Sequence, residues 1–274
     1  MTRLDQELVN RGLARSRTVA ATFIKAGRVI VAGTSTTKSA LAVDADSVIE
    51  VLPGHEEDYV SRAGHKLAGA LAHFSQVTVA GKRCLDAGAS TGGFTDVLLR
   101  KGAASVAAVD VGHDQLVDSL RHDPRVEVHE GLNIRFMQPG DVGALADLTV
   151  CDLSFISLTK VMAPLTLATK PGGELLLMVK PQFEVGKANL ARTGVVSSEN
   201  ERRRAVALVA HSAVANGLTL DGIGTSSLPG QEGNVEYFLL ATRTVSAPAH
   251  KIKEQDGIEE QDNAVERLLS QLWP

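Results

Sequence analysis

Four apolar runs, each ending on a charged residue, constrain this chain more than any other feature. They finish at Asp86, Asp110, Asp152 and Lys180, and segments of helical period lie between or after them, over 95–100, 114–120, 158–168 and 199–216. Strands alternating with helices predict an α/β unit built on a doubly wound, mostly parallel sheet. Ligands of such sheets bind at the carboxyl ends of the strands, where these polar residues fall. Two late strands are expected over 219–224 and 235–240, joined by a Gly/Ser/Pro-rich loop at 225–234. With 274 residues, 44% of them hydrophobic, the chain can bury such a core and still carry a second, smaller domain.

Several classes drop out early. The only two cysteines, Cys84 and Cys151, sit in no ligand cluster, so neither a disulfide scaffold nor a metal site is expected. The first residues lack the apolar stretch of a secretory signal. Residues 205–220 carry no formal charge, but they include His211, Ser212, Asn216 and Gly217 and fall short of the roughly 20 apolar residues of a membrane span. A soluble, cytoplasmic protein is expected.

The turn after the first of these strands reads Cys84-Leu-Asp86-Ala-Gly88-Ala-Ser90-Thr-Gly92-Gly93-Phe94. Ser90 takes the middle glycine position of a dinucleotide fingerprint, and Phe94 stands where a phosphate loop needs lysine. Gly88-Ala-Ser90-Thr-Gly92 also has the form of a hydrolase nucleophile elbow, but that elbow follows a central strand late in its sheet, and here one strand precedes it. An S-adenosylmethionine site fits best, with the turn from Asp86 through Gly88, Ser90, Gly92, Gly93 and Phe94 approaching the methionine part. Asp110 ends the next strand, 24 residues beyond Asp86, where a carboxylate takes ribose hydroxyls. The plainer alternative makes Asp86 a helix cap and Asp110 a turn former. Asn133, after the third strand, is read as a contact to the adenine or as a turn residue.

Lys66, Asp152, Lys180 and Glu236 form the candidate catalytic set. Each alone reads as a surface charge, but strand ends converge on one cleft, and a charge closing a buried strand, as Lys180 does, needs a partner. Neighbouring carboxylates favour the ammonium form of Lys180 and oppose a role as general base, unless desolvation or a positive sulfonium offsets them. Both roles, base and orienting group, remain open at this point. Asn189, Arg192 and Thr193 lie in a polar segment beyond it that is read as closing over a substrate.

Charge is distributed unevenly. Residues 1–38 hold seven bases, namely Arg3, Arg11, Arg15, Arg17, Lys25, Arg28 and Lys38, against two acids. Residues 246–274 hold three bases and six acids and are expected to form a solvated acidic tail with a possible short helix near 263–273. By count alone, an ordinary basic surface explains the head as well as an anionic partner does. The head also has internal order: a helix carrying Leu4, Leu8 and Leu13, a second capped by Ser16, and strands over 28–33 and 47–52. Boundaries are expected at 1–58 for the head, 59–64 for a linker, 65–245 for the α/β domain and 246–274 for the tail.

On Arg3-Leu-Asp5, Leu8, Arg11-Gly12, Ser16-Arg17, Ala20, Ile24, Gly27, Val29, Val31 and Gly33, the head resembles the small α+β S4 RNA-binding module. The resemblance implies phosphate contacts by Arg3, Arg11, Arg15, Arg17, Lys25 and Arg28 on structured RNA. The Lys66-Asp152-Lys180-Glu236 set resembles the tetrad of FtsJ-like ribose 2′-O-methyltransferases. Val60-Ser-Arg62, Cys151-Asp-Leu-Ser-Phe-Ile-Ser157, Val179-Lys-Pro-Gln-Phe-Glu184 and Gly194-Val-Val196 extend the likeness, and residues 1 to about 245 together resemble the TlyA family, often called hemolysin A. That family implies a Rossmann-like fold, S-adenosylmethionine as cofactor, and 2′-O-methylation of cytidine in 16S and 23S ribosomal RNA. Two rivals are a membrane-active hemolysin and a non-catalytic RNA-binding protein. Ala63-Gly64 stands where the family usually has Gly-Gly or Gly-Ala.

Overall fold

The computed structural model describes residues 1–14, 16–25, 27–52, 59–186, 190, 193–245 and 254–273. Arg15, Asn189 and Arg192 lie outside the described residues. The chain forms two compact units, residues 1–58 and 59–274.

The first unit runs β1 (Thr2–Arg3), α1 (Leu4–Asn10), α2 (Arg17–Lys25), β2 (Val29–Val31), β3 (Thr34–Thr36), β4 (Ala42–Val43) and β5 (Ile49–Val51). β2 pairs antiparallel with β3 and β5, and β1 pairs with β4. The Ser16 hydroxyl accepts from Val19 N at 3.3 Å, the expected cap of α2. Leu4, Leu8, Ala20, Ile24, Val29 and Val43 are buried together. Leu13 is not on α1 as expected. The helix ends at Asn10, Gly12 turns the chain at φ +69°, and Leu13 is left partly exposed. β3, which reads Thr-Ser-Thr, has no apolar signature. It forms because Ala32 and Gly33, both at positive φ, make the two-residue turn that folds it back on β2.

The second unit begins with α3 (Arg62–His73), β6 (Arg83–Ala87), α4 (Gly93–Arg100), β7 (Ser105–Asp110), α5 (Asp118–Arg121) and β8 (Val126–Glu130). It continues with β9 (Ala146–Cys151), α6 (Met162–Ala168), β10 (Thr169–Val179), α7 (Pro181–Glu184), α8 (Glu199–Ala215), β11 (Leu218–Thr225), β12 (Tyr237–Arg243) and α9 (Glu254–Leu272). Short 3-10 turns occur at Ile134–Phe136 and Leu158–Lys160. The seven-stranded sheet has the order β11-β12-β10-β9-β6-β7-β8. β10, β9, β6, β7 and β8 are parallel, and β12 runs antiparallel to both neighbours. The chain leaves β6 toward β7 and β8, then returns to the other side of β6 with β9. The strand order therefore reverses between β6 and β9, which opens a crevice at their carboxyl ends.

Side chains alternate between the two faces of the sheet. Cys84, Leu148, Val150, Met178 and Phe238 pack on one face with Leu67 of α3 and Phe94 of α4. Leu85, Cys151, Leu177, Val179 and Leu239 pack on the other with α6, α8 and α9.

Four expectations need correction. The supposed linker 59–64 is not one: Val60 N donates to Asp96 Oδ2 at 2.8 Å, and Arg62–Gly64 are the first turn of α3. The helix expected over 114–120 shrinks to α5, because Asp114 adopts φ +54° and breaks the pattern. Glu236 precedes its strand rather than lying within it. The described end of the tail is docked, since Val265 and Leu269 of α9 are fully buried against α8 and β11. Leu269→Ala is accordingly expected to cost ~2–5 kcal/mol of stability in urea unfolding, as for a core leucine, whereas a solvated tail would give no change.

Candidate active site

The reversal between β6 and β9 sets the geometry. β6 delivers Asp86 and the turn from Gly88 to Gly92, β7 delivers Asp110, and β9 delivers Asp152. A cleft of about 530 Å³ opens among Gly88, Ser90, Asp110, Gln115, Leu132, Asn133, Ile134, Asp152 and the 153–156 loop, a size suited to a nucleoside ligand. Gly88 has φ +92°, and a Cβ there would stand 2.5 Å from the Asp152 carbonyl oxygen, so only glycine lets the two loops meet. Asp110 accepts from Ser90 N at 2.8 Å and Gly112 N at 2.7 Å, one bond per carboxylate oxygen. Each oxygen keeps a further lone pair for a ligand hydroxyl.

Asp86 is fully buried. Its Oδ2 accepts from Thr95 Oγ1 at 2.7 Å, while Oδ1 has no partner among the described residues. Burial pushes its pKa up to about 7; the Thr95 hydroxyl pulls it down and the Asp152 charge pushes it further up. A buried carboxylate with an orphaned oxygen beneath the turn favours a positively charged ligand in the crevice. With apolar walls at Leu132, Ile134 and Ile156 and the Asp110 acceptors, the residues present fit S-adenosylmethionine.

The expected cofactor residues divide. Gly88, Ser90, Asp110, Asn133 and Asp152 line the cleft, whereas Asp86, which is fully buried behind it, Gly92, Gly93 and Phe94 do not. A side chain at Gly92 would strike Leu120, and one at Gly93 would strike Ser61 and the start of α3, so these glycines serve packing. Phe94 is core, its ring stacked 6.4 Å from that of Phe238. Asn133 takes the turn role as well, its Oδ1 accepting from Arg135 N at 3.0 Å. Ser90, at φ +47°, bonds the Gln115 amide oxygen at 3.2 Å, which cannot act as a base, so the elbow reading finds no support. Gln115, Leu132, Ser154 and Ile156 line the cleft as well. Ser154 and Ile156 lie in the Cys151–Ser157 motif and Leu132 lies beside Asn133, whereas Gln115 carries no signal in the sequence.

Strand register assembles the catalytic candidates. Val179 opposes Tyr237 across β10 and β12, so the next step sets Lys180 opposite Glu236. Asp152, Lys180 and Glu236 each lie two residues from Val150, Met178 and Phe238, and therefore share the face covered by α3. From α3, Lys66 Nζ donates to Glu236 Oε2 at 2.5 Å. Lys180 Nζ lies 2.6 Å from Asp152 Oδ1 and donates to Ser154 Oγ at 3.0 Å. Lys66, Lys180 and Glu236 are 8%, 8% and 3% exposed, so both pairs are largely out of water.

In the first unit the basic residues differ in kind. Arg3 and Arg17 both bond Asp5 and hold its carboxyl well below the usual carboxylate range, Arg3 most strongly, while remaining half-exposed themselves. Lys25 is exposed, and Arg28 lies 4.4 Å over the Phe23 ring and donates to the Leu52 carbonyl at 3.0 and 3.1 Å. Arg11 is the most heavily tied. Its guanidinium bonds Glu7 and the carbonyls of Asp44, Ala45 and Ser47, so it ties the 44–47 turn to α1 instead of serving as a free phosphate ligand.

Residues 59–243 match FtsJ-like methyltransferase and residues 2–49 match the S4 domain. With the doubly wound sheet and its switch-point cleft, this defines a Rossmann-like methyltransferase preceded by an S4 domain. The sequence is 48% identical over 270 residues, 98% of this chain and 97% of the relative, to the 16S/23S rRNA (cytidine-2′-O)-methyltransferase TlyA of Mycobacterium tuberculosis. It is 37% identical to Hemolysin A of Brachyspira hyodysenteriae, over 86% of this chain and 98% of that one. A solved structure from Streptococcus thermophilus covers 98% of this chain and 94% of its own at TM-score 0.71 and 33% identity. The chain belongs to the TlyA family.

Proposed function

We propose that this chain transfers a methyl group from S-adenosylmethionine to the ribose 2′-hydroxyl of cytidine in 16S and 23S ribosomal RNA, acting on ribosomal subunits in the cytoplasm. The observation that carries the reading is the buried Lys180–Asp152 pair at the edge of the switch-point cleft. When bound, the cofactor supplies a methyl group on a positive sulfonium. Asp110 would hold its ribose, Leu132, Asn133 and Ile134 its base, and the 88–90 turn its methionine part. Lys180 donates to Ser154 Oγ at 3.0 Å, and its ammonium stands 2.6 Å from Asp152 Oδ1 as an ion pair. In this ion-paired state a remaining N–H orients the 2′-oxygen by its lone pair; as the bond from oxygen to methyl forms, the O–H bond breaks and the proton passes to water. Lys180 is thus an orienting group, and positioning supplies most of the rate. Lys66 and Glu236 hold the far side of the same face. Residues 1–58, through Arg3, Arg17, Lys25 and Arg28, hold the RNA backbone, and residues 59–243 carry the chemistry.

No helix among the described residues is long and apolar enough to cross a membrane. The test is methyl transfer from tritiated S-adenosylmethionine to unmodified ribosomal subunits. Wild type is expected to label cytidine ribose, and Lys180→Ala to lose at least ~10²-fold in rate at saturating cofactor. Equal labelling by both proteins would remove the assignment of the pair.

A further inference from the structure

One half-buried carboxylate beside the site has no part in the mechanism above. Glu184 closes α7, the single turn that begins at Pro181 directly after Lys180. Its Oε2 accepts from Ser157 Oγ at 2.5 Å and its Oε1 accepts from Leu158 N at 2.8 Å. Burial pushes its carboxyl above the ordinary glutamate value, against the pull of these two donors. The segment it grips, 152–158, is the one that supplies Asp152, Ser154 and the cleft wall at Leu153 and Ile156.

Two chain segments are therefore fastened in step. At one end Lys180 holds Asp152 and Ser154. In the middle the Phe183 ring lies 5.3 Å from that of Phe155, whose backbone is held at the unfavourable φ of +65°. At the other end Glu184 holds Ser157 and Leu158. A non-glycine residue keeps such a backbone only where its surroundings over-determine it, and Glu184 supplies two of the bonds that do so, to Ser157 Oγ and Leu158 N. Without them, the bonds of 155–158 among the described residues are local ones, Ser157 with Thr159 and Lys160 and Leu158 with Val161.

We propose that Glu184 is a positioning residue for methyl transfer, bolting the 152–158 loop so that one loop conformation serves both the cofactor wall and the Lys180–Asp152 pair. The proposal rests on the methyltransferase reading for its catalytic half and stands apart from it for its binding half. Because the loop carries both, loss of the bolt weakens cofactor binding and slows transfer together. A residue that merely stabilised the fold would lower the folded fraction and leave both constants of the folded molecules unchanged.

The experiment compares wild type, Glu184→Ala and Glu184→Gln, with thermal unfolding as a check on folding. Affinity for S-adenosylhomocysteine is read by calorimetry, whose stoichiometry counts competent sites. Methyl transfer to ribosomal subunits gives kcat and KM per competent site. Glu184→Ala is expected to weaken S-adenosylhomocysteine about tenfold and to lower kcat about tenfold, since misplacement by a fraction of an ångström has effects of that order. Glu184→Gln is expected to stay within about threefold of wild type, because its oxygen still accepts from Leu158 N and its amide donates to Ser157 Oγ. Should Glu184→Ala be too unstable to assay, Ser157→Ala, which removes one of the two bonds, is expected to show the same paired loss at smaller size. Unchanged affinity and kcat per competent site in the alanine variant would overturn the proposal, as would a glutamine variant no better than alanine. If wild type binds S-adenosylhomocysteine but labels no ribosomal RNA, the function proposed above fails, and the affinity ratio alone then decides for or against the bolt.

Discussion

Asp86→Asn is expected to raise the thermal midpoint by several degrees at pH 8 while weakening cofactor binding about tenfold. The gain follows from linkage. The unfolded carboxyl ionises near 3.8 and the folded one near 7, so between those values the folded state holds a proton that the unfolded state has lost. The contribution of this group is fully present below the lower value and is lost as pH rises through the upper one. At pH 8 the folded protein carries the whole cost of a buried charge, at most ~4 kcal/mol for a shift of this size. Asparagine keeps the acceptor for Thr95 and removes the charge, while its unpaired amide returns part of the penalty. The difference between the two proteins in thermal melts should therefore shrink from pH 8 toward pH 5. A difference that does not change with pH would show that Asp86 ionises normally. The accompanying loss of affinity, measured by calorimetry, separates stability from function at this residue.

The second large effect is expected at Lys66 and Glu236. Replacing either one by methionine leaves a charge that is nine-tenths buried without its partner, which costs ~3–5 kcal/mol. For a unit of this size that lowers the midpoint by ~6–20 °C. Replacing both removes both charges and puts apolar volume in their place, so the double variant should recover most of that stability. It should not recover methyl transfer if the pair serves the site. Full activity in the stable double variant would make the pair a structural ion pair only. Urea unfolding of the four proteins, alongside the tritium assay, gives both answers.

The β/α alternation could be read directly because buried parallel strands are apolar runs, and each of these ends in a polar residue facing the crevice. The same logic exposed Asp110, Asp152 and Lys180. It failed where a structure depends on partners distant in sequence. α3 carries a stripe at helical spacing, Leu67, Ala70 and Leu71 with Phe74 just beyond its end, but Gly64 and Gly69 weaken its intrinsic propensity, and it is helical because that stripe finds the sheet. α9 shows Val265, Leu268, Leu269 and Leu272 at helical spacing, which suits packing on the domain or on a partner equally, and its docking through Val265 and Leu269, with Leu272 and Trp273 beside them, depends on a core distant in sequence. The glycine-rich turn was read as cofactor contact throughout, yet packing and ligand approach call for the same residue there. Only the space around each Cα separates Gly88 from Gly92 and Gly93. Arg11 and Glu184 were invisible for the reverse reason, since a charge that ties loops together reads like any other.

The antiparallel pairing of β12 with β10 gives the site an arithmetic of its own. Because Val179 meets Tyr237 with five paired positions behind it, the face on which Glu236 falls depends on whether the count of residues along β12 is odd or even. The 226–234 hairpin can lengthen or shorten without touching that count. A one-residue deletion inside β12 reverses it, moving every side chain on the loop side of the cut, Glu236 included, to the face now filled by Tyr237 and Leu239. The sheet thus works as a parity check on the catalytic set: it tolerates drift in its loops and rejects single-residue slips in its strands.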